Sequence, residues 1–330
     1  MSHWLEHPVF LPLRIPLAGV YYTLVTMNNF AFDHRLRAIG KVGVPVISVG
    51  NLSVGGSGKT LVVEALARHL RASGIKAGIL SRGYGRGSQE LIVVSDGEGI
   101  LTGVDRSGDE AFLLASLLPD CPVVVSAERF PGAVRLQDEL GVDCILLDDG
   151  FQHRKLHRDL DIVLLDPSIR KKPHLLPWGY LREPPSALHR ADQVIYSKGL
   201  PEHGLTDSAV LKFEYPEYVI TADGSPIPME NLKGKRGAFA GLGNPGFFFD
   251  AVIHQVGLLA ETLTFPDHCP YVEEDLDRIR EKTVDCWITS AKDAVKLSRE
   301  FRDLHNVYAL PVKVQLPEST LRAVDKLLEL

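Results

Sequence analysis

Beyond Gly43 the chain alternates short β-branched apolar runs with amphipathic stretches, the pattern of a buried, mostly parallel sheet covered by helices. Runs at 45–49, 77–80, 123–126, 144–147, 162–165 and 194–196 read as strands. Across 60–72, Leu61, Ala65, Leu66 and Leu70 share one helical face, Arg68 and Arg71 lie off it, and Gly74 is a natural stop. A second α/β segment follows, with strands at 237–240, 262–265 and 286–289 and a helix over 291–301. Extended, proline-interrupted stretches at 211–220 and 307–316 flank it and can pair as a two-stranded connector. An amphipathic helix over 318–330 closes the chain.

The N-terminal pattern is different. From Val9 to Phe32 the only charge is Arg14. A secretory signal needs a basic start and a small-residue cleavage site, and MSHWLEHP has neither. The uncharged part, 16–32, falls short of the roughly 20 apolar residues that span a bilayer. Arg35, Arg37 and Lys41 follow, suited to anionic headgroups. The pattern predicts a helix in the membrane interface, anchored by Trp4, Tyr21 and Tyr22. The alternative is a helix packed on the protein's own core.

Composition narrows the class. The 330 residues are 45% hydrophobic and 24% charged, with 29 glycines and 21 prolines, which excludes collagen-like, coiled-coil and wholly disordered chains. At roughly 150 residues per domain, two domains are expected. The boundaries read as an N-terminal helix in 1–40, a first domain over 41–210 to which 318–330 returns, and a second over 221–306. A net charge of −6 argues against a nucleic-acid partner. Cys121, Cys144, Cys269 and Cys286 are scattered and form no C-x-x-C, so neither zinc nor a disulfide framework is expected.

The strongest local chemistry is VISVGNLSVGGSGKT at 46–60, an apolar strand entering a glycine-rich turn and then a helix. That is the context of a phosphate-binding loop. Backbone around Ser53, Val54, Gly55, Gly56, Ser57 and Gly58 would wrap a β-phosphate of ATP. Lys59 would neutralise β/γ-oxygens, and Thr60 would offer its hydroxyl to Mg²⁺. Ser53 stands where the motif has its first glycine. Val54 stands where partition-type ATPases carry a lysine. Downstream, CILLDDGFQH at 144–153 ends an apolar strand in Asp148 and Asp149, the arrangement that holds Mg²⁺ near a strand's carboxyl end.

Two further groups exceed what a simple hydrolase needs. Gly108-Asp109-Glu110 precedes an apolar helical run, so Asp109 is either a helix-terminal charge or a general base. Thr264-Phe-Pro-Asp-His268 places a histidine at a proline-bent corner, where it could orient a carboxylate. Arg82, Arg86, Arg129, Arg154, Lys155, Arg158 and Arg182 are candidates to face an anionic substrate. A P-loop GTPase or metallochaperone is the alternative class. It would need N-K-x-D, whereas Ser290-Ala-Lys-Asp293 has lysine and aspartate adjacent.

Together these blocks resemble the tetraacyldisaccharide 4'-kinase (LpxK) family. The matching segments are VGNLSVGGSGKT, LSRGYGR, GDE, LLDDGFQHRKLHRDLDIVLLD, LLPWGYLREP, GLGNPGFFF, FPDH and AKDAVK, in order along the chain. The resemblance implies ATP- and Mg²⁺-dependent phosphorylation of the 4'-hydroxyl of a lipid A disaccharide 1-phosphate, giving lipid IVA. It implies a P-loop NTPase-like α/β domain, a smaller second α/β domain and a two-stranded linker. It also implies a monomer on the cytoplasmic face of the bacterial inner membrane. By motif position, Asp109 carries over as general base with His268 as its partner, and Lys59 acts at the nucleotide. Thr60, Asp148, Asp149 and Glu110 are the candidate Mg²⁺ ligands, and Arg129, His153, Arg182 and Glu183 the substrate-binding ones. Ala111, Ala291, Trp178 and Tyr180 depart from the family pattern, the last two where they could reshape the acyl or sugar site.

Overall fold

Apolar runs long enough for one pass through a sheet become strands here, and the amphipathic stretches between them become helices. The computed structural model describes residues 11–84, 86, 88–166, 173–197 and 210–330. Trp4 lies outside the described residues. In chain order, α1 (Leu11–Asp33) precedes β1 (Val46–Asn51), α2 (Lys59–Ala72), β2 (Ala77–Ser81) and β3 (Ile92–Ser95). Then come α3 (Val104–Ser107), α4 (Asp109–Leu117), β4 (Val123–Val125), α5 (Arg129–Asp138), β5 (Cys144–Asp148), β6 (Leu160–Leu165) and β7 (Gln193–Tyr196). The remainder comprises β8 (Lys212–Glu214), β9 (Tyr218–Ile220), β10 (Pro226–Pro228), β11 (Arg236–Ala240), α6 (Pro245–Val256), β12 (Glu261–Thr264) and α7 (Glu273–Arg280). It ends with β13 (Cys286–Ser290), α8 (Ala291–Ala294), α9 (Arg299–Leu304), β14 (Val307–Leu310), β15 (Lys313–Gln315) and α10 (Glu318–Leu328).

The chain divides into two compact units. The first holds the described residues up to Arg82, Glu128–Lys212 and Leu316–Leu330. The second holds Gly83–Ala127 and Phe213–Gln315. These cuts differ from the expected 41–210 and 221–306 spans because Gly83–Ala127 groups with the second unit. A separate two-stranded sheet pairs β8 with β15.

In the first unit five strands run parallel in the order β2-β5-β1-β6-β7. Every residue of β1 and β5 is buried, so both strands are mostly apolar rather than alternating, with Ser48, Asn51 and Asp148 as buried polar members. The central position of β1 delivers the glycine-rich turn to the middle of the sheet's carboxyl edge, where open α/β sheets bind ligands. Helix α2 buries Val62, Val63, Leu66, Ala67 and Leu70. The expected face is thus rolled: Leu66 and Leu70 remain inside, while Leu61 and Ala65 are half-buried. His69 of α2 meets Asp325 of α10 at 2.6 Å, tying the C-terminal helix to this unit.

Helix α1 belongs to the same unit and packs on it along one face. Ala18 and Phe32 are buried on one face. On the opposite face Leu13, Leu17, Val20, Leu24 and Met27 are each between 43% and 63% exposed. No helix among the described residues is long and apolar enough to cross a membrane.

The second unit is built on a six-stranded sheet in the order β10-β9-β14-β13-β11-β12. Its β12, β11, β13 and β14 run parallel, and β9 and β10 add antiparallel strands at one edge. Phe239, Phe265, Tyr271 and Trp287 pack edge-to-face in its core. In the same unit β3 and β4 pair antiparallel, and β3 had no counterpart in the sequence reading. The single helix expected over 291–301 is broken into α8 and α9. Ser290 and Ser298 each cap a new start, accepting from the backbone N–H of Asp293 and Phe301 respectively.

Candidate active site

In the first unit the turn after β1 is shaped for phosphate. Gly58 at the N-cap of α2 has φ 86, a left-handed conformation that a side chain would strain. Nothing stands within 4 Å of where Cβ atoms would be on Gly55 and Gly56, so the loop's surface is open. The missing first glycine has a structural account. Ser53 is buried in an antiparallel bridge to Leu181, and the Val54 N–H donates to the Tyr180 carbonyl at 2.8 Å. Extended backbone of this kind does not call for glycine. Ser57 is buried and its hydroxyl accepts from the Asn51 side-chain amide at 3.0 Å. Sequence reading assigned Asn51 nothing, although its place at the end of β1 was the available signal.

The functional end of the loop is an ion-paired chain. Lys59 Nζ is 3.5 Å from Asp149 Oδ1. Arg182 Nη1 in turn donates to both Asp149 carboxylate oxygens, at 3.0 and 2.8 Å. Burial alone would raise the Asp149 pKa, but Lys59 and Arg182 outweigh it and hold the carboxyl below the usual range. Asp148 is buried beneath, its Oδ2 accepting from the Ser81 hydroxyl at 3.3 Å. Thr60 follows Lys59 in the first turn of α2. The hydroxyl and carboxylate oxygens of Thr60, Asp148 and Asp149 are the hard donors that Mg²⁺ takes. Among the described residues no group of three or more His, Cys, Asp or Glu could hold a metal ion.

Other candidates in this unit have partners that define their work. Glu183 is buried, paired with Arg190 at 2.8 Å and accepting from Asn29 of α1 at 2.7 Å. Arg190 also lies 4.4 Å over the Phe151 ring. Arg154 donates to the Asn29 carbonyl at 3.1 Å and to Asp33 at 2.7 Å, which fixes α1 rather than leaving a free cation. Arg158 is paired with Asp161, and Lys155 with Glu128. Arg129 is buried at the start of α5. Burial, and then the charge of Arg129, lower the His153 pKa to about 4, so the ring is neutral at physiological pH.

The second unit carries the other chemistry. Gly108 has φ 83, and a Cβ there would stand 2.7 Å from the Tyr84 carbonyl oxygen, so only glycine lets α4 begin where it does. This start puts Asp109 in the first helical turn, largely buried. Its carboxylate meets His268 Nδ1 at 2.8 and 3.1 Å. The two residues are 159 positions apart, and the fold brings them together. The Tyr84 ring lies 5.2 Å from that of His268. Burial would raise the Asp109 pKa, but the His268 bond and the Lys292 charge lower it overall. The Asp109 bond raises the His268 pKa against burial and Lys292. Lys292, which the sequence reading quoted only inside a motif, stands 3.2 Å from His268 Nε2 and 3.4 Å from Glu110. Glu110 therefore belongs to this unit, while Thr60, Asp148 and Asp149 belong to the first.

A parallel sheet whose central strand passes through a glycine-rich turn into a lysine-led helix defines an α/β protein of the P-loop nucleotide-binding class. The chain belongs to the tetraacyldisaccharide-1-P 4'-kinase (LpxK) family, whose model matches residues 11–329. It is thus a kinase. A tetraacyldisaccharide 4'-kinase of Geobacter metallireducens is 38% identical, with 96% of this chain and 98% of the relative covered. That of Syntrophotalea carbinolica is 42% identical, over 89% and 84% of the two chains. A crystal structure of LpxK from Aquifex aeolicus in complex with ATP is similar at TM-score 0.82 and 35% identity, covering 96% of this chain and 97% of that one.

Proposed function

We propose that the chain transfers the γ-phosphoryl group of ATP to the 4'-hydroxyl of a lipid A disaccharide 1-phosphate, giving lipid IVA and ADP in lipid A biosynthesis. The observation that carries this reading is the Asp109–His268 bond at 2.8 Å, in a chain that also carries a phosphate-binding loop. Transfer to a hydroxyl calls for a group that takes the acceptor's proton, and a carboxylate held by an imidazole is suited to that work.

The acceptor hydroxyl gives its proton to Asp109 as its oxygen bonds to the γ-phosphorus, and the bond from that phosphorus to the ADP oxygen breaks. His268 steadies the carboxylate and keeps it charged. In the first unit the backbone of Gly55, Gly56, Ser57 and Gly58 wraps the phosphates, with Ser53 and Val54 anchoring the loop. Lys59 exchanges its pairing with Asp149 for phosphate oxygens. Thr60, Asp148 and Asp149 would hold Mg²⁺, with Glu110 a further candidate. Bound Mg²⁺ neutralises phosphate charge and aligns the nucleotide. Arg129, Arg182 and His153 are the residues assigned to the anionic substrates. Glu183 serves them indirectly, through its grip on Arg190 and α1.

The exposed apolar face of α1, followed by Arg35, Arg37 and Lys41, suits a lipid surface. We assign the enzyme to the cytoplasmic face of the inner membrane, as a peripheral or monotopic protein.

The test is ATP consumption with and without a lipid A disaccharide 1-phosphate acceptor. Strictly acceptor-dependent ADP formation, with a 4'-phosphorylated product, is expected. Acceptor-independent hydrolysis, or strict preference for GTP, would contradict the proposal.

A further inference from the structure

Lys292 is the least expected member of the Asp109 group. It is mounted on the first turn of α8, directly after β13. The mounting is rigid: Asp293 is fully buried, accepts from the Gly241 N–H at 3.0 Å and the Ser290 hydroxyl at 2.7 Å, and pairs with Lys296 at 2.9 Å. From that base the Lys292 ammonium lies 3.2 Å from His268 Nε2, 3.4 Å from Glu110 Oε1, 3.5 Å from Asp267 Oδ1 and 3.8 Å from Asp109 Oδ2. Its side chain is 17% exposed. Three carboxylates would neutralise it without any help from the imidazole. The contact with Nε2 therefore needs its own explanation.

An ammonium group carries donors and no acceptor. Where it meets an imidazole nitrogen within hydrogen-bond distance, that nitrogen must accept. If Nε2 accepts, the ring proton of neutral His268 sits on Nδ1, the atom 2.8 Å from Asp109. The opposite tautomer would aim two lone pairs at each other across the Asp109 contact and two donors at each other across the Lys292 contact.

We propose that Lys292 is a positioning residue for phosphoryl transfer: by donating to His268 Nε2 it fixes the Nδ1–H tautomer, and so keeps the imidazole donating to Asp109 while the carboxylate stays open to the acceptor's proton. In this role Lys292 acts through His268, while its ammonium also lies 3.8 Å from Asp109 Oδ2. The proposal rests on Asp109 being the base.

Two measurements test it, with Asp109→Ala as the control for the underlying reading. In the wild-type enzyme at mildly alkaline pH, ¹⁵N NMR of the His268 ring should show a protonated Nδ1 and an unprotonated, hydrogen-bonded Nε2. In Lys292→Met the tautomer preference should relax. With the lipid acceptor its kcat should fall about 10- to 100-fold, the scale for losing a group that orients a catalytic side chain, at nearly unchanged KM for ATP. Lys292→Arg, which keeps the donors, should recover part of the loss. An Nε2–H tautomer in the wild type, or unaltered kcat in a folded Lys292→Met enzyme, would overturn the proposal. If Asp109→Ala itself retains near-normal kcat, the base assignment fails instead.

Discussion

The hydroxyl of Tyr21 donates to the main-chain carbonyl of Arg182 across 3.0 Å. The same Arg182 uses its guanidinium to hold Asp149, which faces Lys59. The N-terminal helix is thus one hydrogen bond away from the residue that organises the phosphate-binding lysine. Tyr21→Phe should cost about 0.5–1.5 kcal/mol of stability, the usual worth of one such bond. Its ATP affinity should weaken by a few-fold. Urea unfolding and ATP titration check this together. Wild-type values in both would mean that α1 and Arg182 are uncoupled.

The next relationship is deeper. Glu183 and Arg190 are both largely buried and joined by two contacts, at 2.8 and 2.9 Å. Glu183→Ala leaves an uncompensated guanidinium inside the protein, at an expected cost of about 3–5 kcal/mol. Glu183→Gln keeps an acceptor for Arg190 and should cost clearly less. Chemical denaturation of the two variants decides the point. Equal and small losses would place the pair among surface-like ion pairs.

Not all of this was legible in the sequence. The phosphate-binding loop was, because strand, turn, lysine and helix are contiguous and local chemistry determines them. The strands of the parallel sheet were legible for the same reason: burial on both faces leaves uninterrupted apolar runs such as 144–147. Strand β3 was missed although 91–94 is itself a short apolar run. The break between α8 and α9 was hidden because Ser298 reads as an ordinary helix residue until its capping bond to Phe301 is seen. The two faces of α1 were indistinguishable because the helix is apolar all round, and its packing side is set by partners such as Arg182 and Glu183 far along the chain. Asp109 and His268 were linked by resemblance rather than by spacing, and Lys292 was invisible as a third member.

His153 makes a pH prediction. Burial and Arg129 depress its folded pKa to about 4, whereas an unfolded histidine titrates near ~6.5. Between those values the unfolded chain binds more proton, so stability rises with pH there. The contribution of the neutral ring is fully present above ~6.5 and is lost as pH falls toward about 4. Unfolding free energies of His153→Gln should show a flatter pH dependence across that window than the wild type. Parallel curves would contradict the buried, neutral ring.

His268 supplies the complementary test. Its bond lowers the Asp109 pKa against the upward push of burial. In His268→Ala that lowering is gone, so Asp109 should take up its proton at a higher pH. A base protonated earlier is lost earlier on acidification. The acid limb of the kcat–pH profile should therefore move to higher pH, with a lower plateau. An unmoved acid limb would mean that His268 does not act through Asp109.

The most direct measurement is the turnover of Asp109→Ala with a lipid A disaccharide 1-phosphate acceptor, taken beside its ATP affinity. If Asp109 accepts the hydroxyl proton, kcat falls by about 10²–10⁴-fold, the usual worth of a general base, while ATP binding at Lys59 and the glycine-rich turn is almost unchanged. Phosphorylation at a near-wild-type rate by that variant would contradict the account.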